Sequence, residues 1–196
     1  MQHDMQQDMQ QEILDFWFAP SDSAEHGRER ALWFRKDAAV DESIRARFGG
    51  AVEAALAGGL AHWTTPRGAL ARVLLLDQFT RNIFRDSPRA FAGDALALGV
   101  SRASVADGSD RSLIPVERWF LYMPYEHAED AAAQESSLAL FARLRDETGL
   151  SDPLKWAERH AAVIRRFGRY PHRNAILGRE STAEEVEFLS QPGSGF

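Results

Sequence analysis

The sequence contains no cysteine, and Lys36 and Lys155 are the only lysines among its 23 basic residues. Without cysteine the chain has no disulfide, no thiolate nucleophile and no zinc-thiolate site. Nearly all of its positive charge therefore lies on guanidinium groups, which suit planar, bidentate pairing with carboxylates and phosphates.

Long apolar runs are also absent, and the N-terminal "MQHDMQQDMQQE" has neither the basic nor the apolar region of a signal peptide. We therefore expect a cytoplasmic protein that has no membrane partner. The formal net charge of -6 argues against nucleic-acid binding, which requires a basic face. We interpret residues 1–11 as a disordered or frayed leader and residues 12–196 as a single domain.

Apolar residues recur with helical spacing along almost the whole chain, and β-branched residues never form the alternating runs typical of strands. The sequence predicts an all-α fold of about nine helices in antiparallel pairs. Pro124 is expected to kink or end its helix, and Leu32, Trp33 and Phe34 are expected to face inward. The predicted helices cover residues 11–18, 25–36, 37–59, 65–84, 87–107, 115–124, 126–147 and 151–168, with a last one from residue 181.

The predicted helix 65–84 changes character along its length. Its first half carries an apolar stripe, and the same side becomes polar in the second half while the opposite side stays apolar. This pattern indicates a helix surrounded by protein, with a polar cluster that lies partly in the interior and must be paired. The polar residues are Asp77, Gln78, Arg81, Asn82 and Arg85.

The predicted helix 126–147 begins with a second polar group. Glu126, Asp130 and Gln134 have i, i+4, i+8 spacing, and His127 lies beside them. Two carboxylates one turn apart in the interior would raise the pKa of one of them, which gives a candidate proton donor or acceptor. The alternative is a set of solvated acids in the first turn of a helix.

The third polar group surrounds His160, which lies at the centre of an apolar helix face and is expected to point inward. Such a residue is either an interior histidine with its bonds satisfied or a catalytic group. Gly168 ends this helix, and the loop that follows carries Arg169, His172, Arg173 and Asn174.

Metal and nucleotide motifs are missing. His127, His160, His172 and the carboxylates have the chemistry of a nitrogen and oxygen site, but the sequence has no HExxH, no paired ExxH and no EF-hand loop. It also lacks GxSxG, P-loop and GxGxxG patterns. We therefore expect no metal and no cofactor.

The stretches "LLLDQFTRNIFR", "ERWFLYMPYEHAED" and "FGRYPHRNAILGRESTAEEVEFL" resemble the bacterial family known as domain of unknown function 924. The resemblance runs from about Glu12 to Leu189 and implies an all-helical, tetratricopeptide-like fold. It implies no reaction. Proline is more common in the family pattern where this chain has Thr80, a departure that concerns local helix geometry more than the polar cluster.

Three hypotheses follow. The first is an interior site that binds an anionic small molecule, in which arginines clamp a carboxylate or phosphate and Glu126, His127 or His160 transfers protons. Its ligand-binding residues would be Asp77, Gln78, Arg81, Asn82, Arg85, Arg118, Arg169, His172, Arg173 and Asn174. The second is a tetratricopeptide-like scaffold or peptide-binding module, in which exposed Trp17, Trp33 or Trp63 lines a groove. The third is a stabilising polar network without a ligand.

Overall fold

The protein is all-α, as predicted. A computed structural model describes residues 2–195, with side chains from residue 7 onward, and this part of the chain forms eight α-helices and no strand. Helix α3 is continuous but changes type, with an α-helical Pro66–Val73, a π-helical Leu74–Phe79 and an α-helical Thr80–Ile83. The other helices are α1 (Gln2–Phe18), α2 (Ala38–Leu56), α4 (Asp94–Ala106), α5 (Pro115–His127), α6 (Ala131–Thr148), α7 (Asp152–Phe167) and α8 (Ala183–Leu189).

Side-chain caps start several of these helices where the sequence predicts them. The carboxylate of Asp37 accepts a hydrogen bond from the amide of Ala39 at the start of α2, and the Thr65 hydroxyl accepts one from Gly68 at the start of α3. At the C-terminal end of α7, Gly168 adopts φ +69°, a left-handed conformation that glycine tolerates best. These local signals explain why most predicted boundaries are close to the observed ones.

The predicted helix 25–36 is wrong. The segment contains only a short 3-10 turn over Ala31–Trp33, and Phe34 is 53% exposed instead of facing inward. Arg30 donates to the backbone carbonyls of Phe16 and Trp17, and the Trp33 indole also donates to Trp17, at 2.7 Å. The segment thus satisfies the last carbonyls of α1 instead of forming a helix of its own.

Further boundaries differ from the prediction. The predicted helix 87–107 is a 3-10 turn over Pro88–Phe91 followed by α4, which begins only at Asp94. Helix α5 continues through Pro124 to His127, because it is buried along nearly its whole length and neighbouring packing keeps it helical. The predicted helix 126–147 is therefore divided between α5 and α6. Glu126 lies in the last turn of α5, while Asp130 is the N-cap of α6 and accepts from the amide of Ala133. Glu126, Asp130 and Gln134 therefore do not share one helix face.

The core consists largely of aromatic rings in edge-to-face contact, with Trp17 against Phe79 and Phe120 and with Trp33 against Phe120. Trp17, Trp33 and Trp63 are all buried. The prediction that these tryptophans line an exposed groove is therefore wrong.

Helix α6 packs against both α5 and α7, which places the end of α5 beside the middle of α7. The tetratricopeptide-like arrangement remains a prediction. Within the described residues no helix is both long enough and apolar enough to cross a membrane.

Candidate functional site

The site is built around the π-helical segment of α3, all of whose residues are buried. Insertions of this kind in α-helices occur frequently at functional sites. A Cβ atom added to Gly93 would lie 2.1 Å from the carbonyl oxygen of Leu76, so only glycine lets the start of α4 approach the segment this closely. The approach places Asp94, the first residue of α4, beside Arg81.

Asp77 is fully buried and bonded to residues of two helices. The Nδ1 atom of His127 lies 2.7 Å from Asp77 Oδ1, and Nη1 of Arg81 lies 3.2 Å from the same oxygen. Burial alone would raise the pKa of Asp77, but the charge of Arg81 and the bond from His127 hold it well below the usual value. Asp77 is therefore a carboxylate, which only accepts hydrogen bonds, so His127 Nδ1 carries the proton.

Asp94 joins two arginines. Arg81 donates to both carboxylate oxygens of Asp94, at 2.8 and 3.1 Å, and Nη1 of Arg173 lies 3.3 Å from Oδ2. The guanidinium of Arg173 lies over the rings of Phe91 and Tyr170, 4.6 Å from each centroid. Its buried Nε atom has no hydrogen-bond partner in the described part of the chain.

Glu126, His127 and His160 form the other half of the site. Their potential ligand atoms all lie within 4.8 Å of one another, and His127 Nε2 lies 4.0 Å from Glu126 Oε1. The second carboxyl oxygen of Glu126, Oε2, is buried and has no hydrogen-bond partner among the residues that the structure describes. Nδ1 of His160 lies 2.9 Å from the carbonyl oxygen of Trp156, which only accepts, so Nδ1 is the protonated nitrogen.

Burial determines the protonation of these three groups. It raises the pKa of Glu126 well above its ordinary value, and the neighbouring charge of Asp77 raises it further. Burial lowers the pKa of His127, and burial is the main cause that lowers the pKa of His160 to about 3. At neutral pH both imidazoles are therefore neutral and carry their lone pairs on Nε2.

Two polar residues fix the backbone at the end of α5. The amide of Gln134 donates to the carbonyls of Glu126 and Ala128, at 2.8 Å each, and to the hydroxyl of Tyr170 at 3.0 Å. Tyr170 in turn donates to the carbonyl of Glu126. The backbone that carries Glu126 and His127 is therefore held in place from α6 and from the loop after α7.

Residues 13–193 match the family described as bacterial protein of unknown function, DUF924. The chain belongs to the DUF924 family. A solved structure of a protein of unknown function from Agrobacterium tumefaciens is similar to this DUF924 chain, with a TM-score of 0.82 and 38% identity over 94% of this chain and 98% of that one. No curated protein matches the sequence. DUF924 membership thus establishes the family and leaves the reaction undefined.

Some of the residues predicted for the site of this DUF924 chain do converge. Asp77, Gln78 and Arg81 of α3 meet Glu126 and His127 of α5, and the amide of Gln78 donates to Asp77. His160 is buried, as its apolar helix face predicts, and its ring centroid lies 6.0 Å from that of His127. The loop after α7 adds Arg173 and His172, whose pKa burial lowers to about 4.

Five predicted ligand-binding residues contact other groups. Asn82 and Arg85 bind Asp41 of α2, and Arg118 binds Tyr122 and Glu147. Arg169 and Asn174 bind Glu185 of α8. Helical periodicity indicates which residues lie on the same side of a helix. It does not indicate which neighbouring element covers each turn, so residues on one side can contact different elements. We assign Asn82, Arg85, Arg118, Arg169 and Asn174 to contacts between elements outside the site.

Asp94 and Tyr170 belong to the site but were not predicted from the sequence. An acid in the first turn of a helix, such as Asp94, is ordinarily explained by the helix dipole. The only feature of the sequence that distinguished Asp94 was the glycine before it, Gly93. Tyr170 lies within the arginine-rich loop "RRFGRYPHRN", where the charged residues dominate the pattern.

Proposed function

We propose that the interior site of this DUF924 protein binds an anionic small molecule through Arg81 and Arg173. The observation that carries this proposal is the buried Nε atom of Arg173, which has no partner among the described residues. Buried guanidinium donors are almost always satisfied, so an additional acceptor is expected at this position. A carboxylate or phosphate oxygen supplies one with charge assistance.

The position of the arginines supports the same conclusion. The side chain of Arg81 is 21% exposed, whereas that of Arg173 is 8% exposed, so the pair runs from the protein surface into the interior. Asp94 accepts from both guanidinium groups and aligns them. An anion entering from the Arg81 side would meet donors that are already oriented, which lowers the entropic cost of binding.

Asp77 connects the arginines to the reactive half of the site. It pairs with Arg81 on one side and accepts from His127 on the other. In this proposal an anion held by the arginines presents its other end to Glu126, His127 and His160. Without a metal ion these are the groups for proton transfer.

Thermal unfolding in the presence of acetate, phosphate and citrate at constant ionic strength tests the proposal. Specific binding raises the melting temperature in proportion to the logarithm of ligand concentration once the site is nearly saturated. We expect this rise in the parent protein and its loss in Arg173→Gln. Arg165→Gln is the control, because Arg165 is exposed and pairs with Glu135 on the surface.

An equal response in all three proteins would show that the anions act on the surface and would overturn the proposal. The absence of any response in the parent would favour a structural polar network. One observation favours that second candidate: Asp77 and Asp94 already pair with Arg81 and Arg173, so the charges of the four side chains balance without a ligand.

A further inference from the structure

Three side chains that can act as metal ligands lie close together where the end of α5 meets α7. They are the carboxyl group of Glu126 and the imidazoles of His127 and His160, whose ligand atoms lie within 4.8 Å of one another. Burial of a carboxyl oxygen without a hydrogen bond, as at Glu126 Oε2, is costly. A cation at this position would satisfy the carboxyl group and both imidazoles together.

The outer contacts of both histidines match those of metal ligands. A metal-binding histidine almost always donates its second ring N–H to a carboxylate or a backbone carbonyl, which fixes its tautomer and ring orientation. His127 donates from Nδ1 to the carboxylate of Asp77 at 2.7 Å. His160 donates from Nδ1 to the carbonyl of Trp156 at 2.9 Å. Both histidines therefore carry their lone pair on Nε2.

We propose that Glu126, His127 and His160 bind a divalent first-row transition-metal ion, and that Asp77 is the outer-sphere partner of His127. Two imidazoles and one carboxylate form the ligand set of many zinc and non-haem iron sites, and they leave coordination positions open for water or substrate. The chain has no cysteine, so a thiolate does not compete with these ligands.

The ligand atoms must move closer together when an ion binds. Ligand atoms that share a tetrahedral zinc ion lie roughly 3.4 Å apart, from metal–ligand distances of about 2.0–2.2 Å. His127 Nε2 and Glu126 Oε1 are 4.0 Å apart, so this pair must close by about 0.6 Å. A pair at the 4.8 Å limit of the cluster must close by about 1.4 Å, which rotation of the Glu126 side chain and of the imidazoles would supply. No hydrogen bond to Glu126 Oε2 within the described residues opposes such a rotation.

This site revises the expectation that the protein holds no metal. Sequence motifs reveal a metal site when its ligands follow one another at fixed spacing on one element. Here Glu126 and His127 end α5, whereas His160 belongs to α7. The metal ligands do not include the anion-binding arginines Arg81 and Arg173, so the two proposals can be tested separately although Asp77 contacts both groups.

The test uses the full chain after treatment with a chelator and its removal. Calorimetric titration with Zn²⁺ and visible absorption with Co²⁺ are expected to show one ion per chain. His160→Gln and Glu126→Gln should abolish this binding, and Asp77→Asn should weaken it about 10- to 100-fold through its effect on His127. His62→Gln, which changes an exposed histidine, is the matched control and should bind as the parent does.

Failure of the parent to bind either ion, or equal binding by parent and a folded His160→Gln variant, would overturn the metal site. If the variants do not fold, X-ray absorption on the zinc-loaded parent decides the question: two imidazole ligands and one carboxylate support the proposal, and oxygen ligands alone refute it. No acetate, phosphate or citrate is present in these titrations. A negative metal titration therefore does not contradict the anion proposal. The lack of an anion-dependent rise in melting temperature likewise does not contradict the metal proposal.

Discussion

Nδ1 of His127 donates a hydrogen bond of 2.7 Å to Oδ1 of Asp77, and this bond joins the end of α5 to the π-helical segment of α3 inside the protein. Asp77 accepts from a neutral imidazole and also faces the cationic Arg81. It therefore holds together the arginine half and the histidine half of the site. Replacement of Asp77 is therefore expected to affect both the stability of this site and the binding that we propose for it.

Replacement of Asp77 by asparagine is expected to lower the free energy of unfolding by about 3 kcal/mol, because a buried ion pair loses one partner and Arg81 must then share Asp94 with Arg173 as its counter-charge. Urea denaturation monitored by circular dichroism measures the effect. Asp146→Asn serves as the control. Asp146 pairs with Arg145 at the surface, and its replacement should cost less than about 1 kcal/mol. Similar losses in both variants would contradict the role of Asp77.

Gly93→Ala tests the close approach of α4 to α3. The new Cβ atom would lie 2.1 Å from the Leu76 carbonyl oxygen, so the backbone must move, at an expected cost of at least about 2 kcal/mol. Gly99→Ala, in the middle of the same helix, has nothing within 4 Å of its new methyl group and should stabilise the protein by about 0.5–1 kcal/mol. Denaturant unfolding of the two variants provides the comparison, and equal stabilities would refute the close approach.

The pair of Arg169 and Glu185 predicts an acid-dependent loss of stability. Hydrogen bonds from Arg169, together with one from the amide of Thr182, lower the pKa of Glu185 to about 2. A carboxyl group with a lower pKa in the folded state stabilises the protein above its unfolded pKa, near 4.5, and loses this contribution as the pH falls towards 2.

Melting temperatures of the parent and Glu185→Gln should therefore differ most above pH 5 and converge towards pH 2. Glu184→Gln is the control, because Glu184 pairs with Arg166 on the surface. The difference between the parent and this control should stay small. A parent–Glu185→Gln difference that is independent of pH would show that Glu185 acts through packing and not through its charge.

Arg118 offers a test of which arginines belong to the site. Its Nη2 atom donates to Glu147 at 2.7 Å and its Nε atom donates to Tyr122, away from Asp77. Arg118→Met should lower the free energy of unfolding by about 1–2 kcal/mol through the loss of these bonds. The anion-dependent rise in melting temperature should remain. Loss of that rise, with an intact circular dichroism spectrum, would return Arg118 to the binding site.

The sequence by itself determined the helical class, because apolar spacing and capping residues act within a few positions of the chain. Thr65, Asp37 and Gly168 mark helix ends through bonds or backbone conformations that involve only their neighbours. The same spacing predicted that Asp77 and His160 point inward. The spacing also indicated that the polar half of α3 lies partly in the interior, because the opposite side of this helix is apolar and must also be covered by protein.

Only the tertiary structure decided which polar residues meet. Asp94 reaches Arg81 because α4 packs against a π-helical turn, and Glu126 faces His160 because α5 continues through Pro124. Both features depend on contacts between helices that are distant in sequence, whereas periodicity describes one helix at a time. The sequence therefore identified the polar side chains of the interior, and packing between helices selected the ones that form a site.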